Sequence, residues 1–473
     1  MERFALRSAS LGFEVMFFVG GDAAVRKKTL VVVLSLAVLV MGLACLAVLS
    51  GCGAKETTTT AAPRTTATTA PPSTTATTQA SSTTASTGAT TETTAAGGFK
   101  GKITVGALIN MTGPFAMNGA EIRFSYELAV KDINEAGGIK LPDGNYELVM
   151  RAVDSKSSDT EASAAAEKLI KVEGLKIILG AEPTPLNLAA ATVANKYNAL
   201  YLTDYTWTDV ARQQNLSSLA VLFFPAGKGG PGETPFLIWD KLPADSRPTR
   251  WGIATQDNAD GQAIGGALKD FASQHGAQVV EYQSYTPDSK DYSSVILKFK
   301  QAKVDALIAF ATTSDAITFT KQMKEQNYAP KIFGGMMGFW STEYSDALGA
   351  DADYVLHDGF WHPDLGHPKG KEIAEAYAAA HSGKTTVVGG LPYALVQVLA
   401  AAIEKAGTTD AQAVRNVIAN GTFPGTAMGD LQFDDHGICE IPPTYSQWLG
   451  GKRVLIYPGH ETELQYMKPW NER

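Results

Sequence analysis

The sequence predicts an α/β protein made of two doubly wound, Rossmann-like lobes. Three observations carry that prediction. From Phe99 onward, short β-rich apolar runs alternate with helical patterns, the order that a parallel sheet covered by helices requires. A glycine-rich break, Gly227-Lys228-Gly229-Gly230-Pro231-Gly232, interrupts the alternation, and the same order of elements resumes behind it. The 473 residues also exceed a single domain of roughly 100–200 residues.

The chain opens with Met1 to Asp22, which holds short apolar pieces of no clean period and reads as an over-extended translation start. Arg26-Lys27-Lys28 is a basic region, Leu30 to Leu49 an apolar one. Leu49-Ser50-Gly51-Cys52 then matches a bacterial lipobox, with small residues where a signal peptidase cuts and Cys52 as the lipidated residue. The rival reading is an uncleaved membrane helix, since the run is ~20 residues long. The four-residue match at the far end of the run favours the lipoprotein. Either reading puts the rest of the chain outside the cytoplasm. Residues 1–51 are thus expected to be leader. Residues 52–98, nearly all Thr, Ala, Ser and Pro, have too few apolar side chains to offset chain entropy and read as a disordered tether.

The first folded stretch is Lys102 to Lys140. Ile103, Val105, Ala107 and Ile109 form a strand, Thr112-Gly113-Pro114 a turn, and Ile122, Tyr126, Ala129, Val130 and Ile133 recur at helical spacing. Gly137-Gly138 ends that helix. A loop between a parallel strand and the following helix is where open α/β sheets bind small molecules. Further strands are expected at Tyr146–Val153, Leu175–Leu179 and Leu200–Leu202, with helices at Thr160–Val172 and Thr184–Tyr197. Behind the glycine-rich break, strands fall at Arg250–Ala254, Gln278–Tyr282, Ala306–Phe310 and Lys331–Gly334. Helices fall at Gly261–His275, Ser293–Lys300, Ile317–Gln326, Lys371–His381 and Pro392–Ala406. The break itself lacks the GK[ST] ending of a phosphate loop.

Composition argues against several classes. A net charge of −8 leaves no electrostatic footprint for nucleic acid. Three cysteines make no disulfide framework, and Cys439 reads as a buried small hydrophobe. His357, His362 and His367 are too widely spaced for a zinc motif and read as loop residues. No nucleophile elbow, P-loop or HExxH occurs, so no catalytic residue, metal or cofactor is expected and an enzyme is disfavoured.

The first βα unit, "TGPFAMNG" followed by "AVKDINEAGGI", resembles that of the substrate-binding proteins of branched-chain amino-acid and amide ABC transporters. The similarity runs in order from about Lys102 to the C-terminal region, where Leu431 to Gly437 resembles the family's turn before its last crossing. The resemblance implies a type I periplasmic binding protein, with lobes joined by a three-strand hinge. Lobe one would take residues 99–226 and 357–432, and lobe two residues 227–356 and 433–473. It implies a monomer that closes on a small organic ligand and delivers it to ABC permease subunits; the alternative is a sensing domain that signals without transport.

The resemblance also implies ligand contacts. In the family, hydroxyls and helix-terminal amides of the first lobe hold a carboxylate. Thr184 occupies the usual hydroxyl position, and Tyr205, Thr206 and Trp207 fall on contacting positions of the next loop. On the second lobe the contacts fall near Thr312 and in Gly335 to Trp340, where Met337 and Trp340 stand. The acid that amino-group binders carry there is missing. An ammonium needs such a partner, so Met336, Met337, Phe339, Trp340, Tyr205 and Trp207 point to an apolar pocket and an aromatic or hydrophobic acid. Glu182 would restore amine recognition if it faces the cleft.

Overall fold

A computed structural model describes residues 3–7, 14–18 and 98–473. The lipobox at Cys52 and the tether up to residue 97 lie outside the described residues. Near the start, β1 (Arg3–Arg7) pairs antiparallel with β2 (Glu14–Phe18). The described residues 98–473 lie in one unit, and its two seven-stranded sheets make the fold.

The first sheet takes β3 (Gly101–Ile109), β4 (Ile139–Leu141), β5 (Gly144–Asp154), β6 (Ile177–Leu179), β7 (Leu200–Thr203), β8 (Leu219–Phe223) and β16 (Ile438–Glu440). Their order is β16-β8-β7-β6-β3-β5-β4, parallel except for the β4–β5 pair. The second takes β9 (Arg250–Gln256), β10 (Gln278–Tyr285), β11 (Ala306–Ala311), β12 (Ile332–Met337), β13 (Leu356–Gly359), β17 (Thr444–Leu449) and β18 (Lys452–Tyr457). Their order is β10-β9-β11-β12-β13-β17-β18, and the last two join antiparallel. Central strands such as β6, β7 and β8 are buried on both faces, which is why they read as continuous apolar runs.

Two expected boundaries need correction. Residues 433–440 do not join the second lobe, because Ile438–Glu440 pairs in parallel with Val221–Phe223 of the first sheet. Residues 357–359 do not open the return to the first lobe, because β13 completes its pairing with β12 and β17 through Gly359. The chain passes between the sheets after Phe223, after Gly359 and after Glu440. His357 accordingly sits in a strand, not a loop, and is fully buried.

Helices cover both sheets. In the first lobe α1 (Ala116–Glu135) packs on α11 (Gly390–Ala406), and α2 (Asp159–Lys171) on α3 (Thr184–Lys196). Ile122, Tyr126, Leu391, Leu395 and Leu399 are fully or almost fully buried there. Each such aliphatic side chain contributes about 1.5–3 kcal/mol by leaving water. Gly119 sets how closely α1 approaches the sheet: a Cβ there would lie 2.1 Å from the Asn110 carbonyl oxygen. That approach fixes the loop between β3 and α1 over the carboxyl ends of the strands. Among the described residues, no helix is long and apolar enough to cross a membrane.

Candidate functional site

The loops at the carboxyl ends of β3, β6 and β7 converge on one polar cluster. Asn187, in the first turns of α3 (Thr184–Lys196), ties two of them together. Its Oδ1 accepts from the Ala181 N–H at 3.0 Å and from the Tyr201 hydroxyl at 2.8 Å. Its Nδ2 donates to the Ala181 carbonyl at 2.9 Å and to the Tyr205 carbonyl at 3.1 Å. A single amide side chain thus spaces the loop 180–183 from the loop 204–207.

Within that frame stand three carboxylates. Glu182 is half-buried; Asn118 donates to its Oε2 at 3.0 Å, and Asn110 donates to its carbonyl at 2.6 Å. Asp204 is fully buried, and its Oδ1 accepts from the Tyr126 hydroxyl at 3.0 Å while its Oδ2 has no partner. Glu121, on α1, accepts from the Thr386 hydroxyl at 2.6 Å. Burial pushes the Glu182 carboxyl up to about 7, with the charge of Glu121 adding to the rise. Burial likewise pushes Asp204 up to about 8, and Glu182 adds to it. Burial raises Glu121 too, opposed by the Thr386 hydrogen bond and by Arg453.

Arg453 comes from β18 of the second sheet. It donates to the Thr385 hydroxyl at 3.2 Å and to the Thr386 carbonyl, both in the first lobe. Its Nη1 is buried without a partner, and burial lowers its pKa to about 10. Among the described residues no Lys or Arg forms an ion pair with Glu182 or Asp204.

Aromatic rings line the passage between the sheets. Phe360, just past β13, stacks on Phe223 and Phe224 with centroids 5.6 and 5.7 Å away. Tyr205 meets Phe360 edge-on at 5.1 Å, and Trp340 of the second lobe meets it at 4.8 Å. The Tyr205 hydroxyl is buried with no partner.

The residues expected to touch a ligand are distributed unevenly around this cluster. Tyr205 and Trp340 meet through Phe360 where the lobes join, and half-buried Met337 packs against the cluster that holds both. Trp207 lies against Phe223 and Phe224 at 5.5 Å. The hydroxyl of Thr184 is engaged internally: it accepts from the Trp207 N–H at 3.0 Å and lies 3.5 Å from the Tyr205 carbonyl oxygen. Thr206 is fully buried, its hydroxyl 3.3 Å from that of Thr203. Thr312 caps α8 (Thr313–Glu325), accepting from the Asp315 N–H at 3.3 Å. Met336 and Phe339 are core residues of the second lobe, not pocket walls: Met336 is buried in the cluster of Phe236 and Trp251, and Phe339 lies edge-on to Phe333 at 5.6 Å.

Sequence reasoning missed Glu121, Asp204, Asp358 and Arg453. Asp358, at the end of β13, accepts from the Met337 N–H at 3.3 Å, and burial pushes its carboxyl up to about 8. It stands on the strand beside the one searched for an acid. An Asp closing the apolar run Val355-Leu356-His357 was the available signal. His357 has its Nδ1 2.8 Å from the Asp358 carbonyl oxygen and its Nε2 unpartnered, and burial lowers it to about 3, so it is neutral. Among the described residues no group of side chains has the makings of a metal site. Two cavities, of about 260 and 340 Å³, open on the first lobe beside Arg212 and Arg415 and beside Lys102 and Tyr146, away from the converging loops.

The fold and site can now be set beside known proteins. A family model described as "Periplasmic binding protein" matches residues 102–438. The chain is 25% identical over 354 residues to Leu/Ile/Val-binding protein homolog 3 of Brucella melitensis, covering 74% of this chain and 93% of the relative. It is 27% identical over 379 residues to homolog 7 of Brucella abortus, covering 75% and 91%. Among solved structures, the branched-chain amino acid transporter substrate-binding protein LivJ of Streptococcus pneumoniae, in complex with isoleucine, superposes with a TM-score of 0.64 at 19% identity, covering 78% of this chain and 100% of that one. A solute-binding protein of an ABC transporter from R. palustris, in complex with benzoate, gives 0.62 at 18% identity, covering 78% and 97%. Both share the two-lobed α/β architecture. The chain belongs to the periplasmic binding protein family, a family of substrate-binding proteins, and has its type I fold.

Proposed function

We propose that this chain is an extracytoplasmic solute receptor, anchored to the membrane through a lipidated Cys52, that delivers one small organic ligand to an ABC importer as a monomer. The observation that carries the reading is a pair of unpartnered buried polar groups on the first-lobe loops, Asp204 Oδ2 and the Tyr205 hydroxyl, with the Tyr205 ring linked to Trp340 of the facing lobe through Phe360. Polar groups buried without partners are costly unless something completes them. A ligand held between lobes does so, and closure is then a population shift driven by contacts made only when the lobes meet. The relatives support the same reading: several are Leu/Ile/Val-binding homologues, and similar folds hold isoleucine or benzoate. Within this reading the ligand lies among Glu182, Asp204, Tyr205, Trp207, Met337 and Trp340. Thr184, Thr206 and Thr312 shape the loops.

A thermal-shift screen of the detergent-solubilised full chain against amino acids, amides, amines and aromatic acids tests it. Ligand binding to the folded state raises the melting temperature by mass action. A rise with one class supports a receptor; no rise with any counts against it. The anchor is tested separately by labelling with a radioactive fatty acid, which Cys52→Ala is expected to abolish. Co-purification with permease subunits, strengthened by ligand, separates delivery from sensing.

A further inference from the structure

Resting on the receptor reading, we propose that the first lobe receives the cationic end of its ligand, a primary ammonium or amidinium group, on Glu182, Asp204 and the Tyr205 hydroxyl. The resemblance implies the opposite charge at this lobe, a carboxylate held by hydroxyls. Here those hydroxyls are engaged within the lobe. The Thr184 hydroxyl accepts from the Trp207 N–H, and the Thr206 hydroxyl lies against that of Thr203. Asn110 and Asn118 each donate one amide hydrogen to Glu182 itself.

What is left over is acceptor capacity. Asp204 is wholly buried, yet its Oδ2 has no partner. Independently, Tyr205 is 2% exposed and its hydroxyl has no partner, although it feels the charges of Asp204 and Glu182. Among the described residues, the positive groups acting on the cluster, Arg453 and His381, act on Glu121 and on neither Glu182 nor Asp204. Without ligand, burial keeps Asp204 protonated at neutral pH; a nearby ammonium favours its ionised form, and a ligand carboxylate opposes it. An ammonium would instead use the free Oδ2, the Glu182 carboxylate and the tyrosine oxygen, three acceptors for three N–H donors.

Matched pairs test the assignment by isothermal titration of the full chain. Leucinamide keeps the ammonium of leucine without its carboxylate, and benzylamine is the cationic counterpart of benzoate. The amine of at least one pair is expected to bind at least about tenfold tighter than its acid counterpart. Glu182→Gln is expected to weaken that amine by about tenfold or more while leaving the melting temperature of the free protein within a few degrees. Tighter binding of benzoate or leucine than of their partners overturns the charge assignment and leaves the receptor reading standing. An amine that binds Glu182→Gln as well as the parent also overturns it. Binding by none of the four, nor by the wider panel, removes the receptor reading and this inference with it. The comparison within each pair uses the unaltered protein, so it holds even if the variant folds poorly.

Discussion

Tyr126 donates its hydroxyl hydrogen to Asp204 Oδ1 at 3.0 Å, joining the first long helix to the loop that follows β7. The same hydroxyl lies 3.2 Å from the Gly180 carbonyl oxygen, so one phenol sets the heights of two site loops. It does not neutralise the carboxyl, whose other oxygen is buried and unmet.

That geometry gives a pH dependence of known sign. Burial holds the folded-state Asp204 at about 8, whereas an unfolded Asp titrates near 3.9. Between these values the unfolded chain has lost the proton and the folded chain keeps it. Stability therefore falls as pH rises through that window and levels off above it. Asp204→Asn removes this loss and keeps an acceptor for Tyr126. Its melting temperature relative to the parent, without ligand, is expected to be higher at about pH 8 than at about pH 5. A constant difference would mean that Asp204 titrates normally.

Asn187→Ala tests the loop spacing. It leaves the Ala181 N–H, the Tyr201 hydroxyl and two carbonyls without their partner. Each stranded buried group costs about 1–3 kcal/mol. Urea unfolding should show a loss of several kcal/mol, and ligand affinity should fall because both loops carry acceptors. A loss under about 1 kcal/mol would show that neighbouring groups or water replace the amide.

The architecture was legible in the sequence because it depends on local pattern. Ile103 to Ile109, Leu175 to Leu179 and Ala306 to Phe310 are strands by their own apolar runs, and the helices between them follow from spacing. The loops proposed to carry the site were legible as loops, since each lies where a strand hands over to a helix. Side-chain roles within them were not. Thr184 was expected to point at ligand, yet the loop at Trp207 approaches closely enough to claim its hydroxyl. No local pattern marks Glu121; Thr386, returning from far along the chain, and Arg453 of the last strand meet it only in the fold. Such roles depend on contacts between segments far apart in the chain, which no local pattern records. The boundary at 433 failed similarly, because the short Ile438–Glu440 finds its partner in Val221–Phe223.

Arg453 and Glu121 belong to different lobes and are expected to be energetically coupled. Arg453→Met removes a positive charge acting on half-buried Glu121 and breaks the hydrogen bonds to Thr385 and Thr386, bonds from a charged group worth about 1.5–3 kcal/mol each. Combining it with Glu121→Gln should recover part of that loss, since no unpaired charge then remains. Additive single effects in denaturant unfolding would show that the two groups act independently.

Trp340 is the second lobe's principal foothold on the first. It lies 8% exposed, grouped with the first-lobe core, and its ring meets Phe360 at 4.8 Å and 64°. Phe339, its neighbour, faces the other way into the second-lobe core, 5.3 Å from Tyr344. The two truncations should therefore separate cleanly. Phe339→Ala removes a ring from one lobe's interior and is expected to cost about 3–5 kcal/mol in stability without changing lobe spacing. Trp340→Ala removes a contact that exists only while the lobes touch. It should raise the radius of gyration in solution X-ray scattering and weaken ligand binding, because the binding-competent state becomes less populated. An unchanged radius of gyration for Trp340→Ala would mean that the crossings, stacked through Phe223, Phe224 and Phe360, hold the lobes together without it.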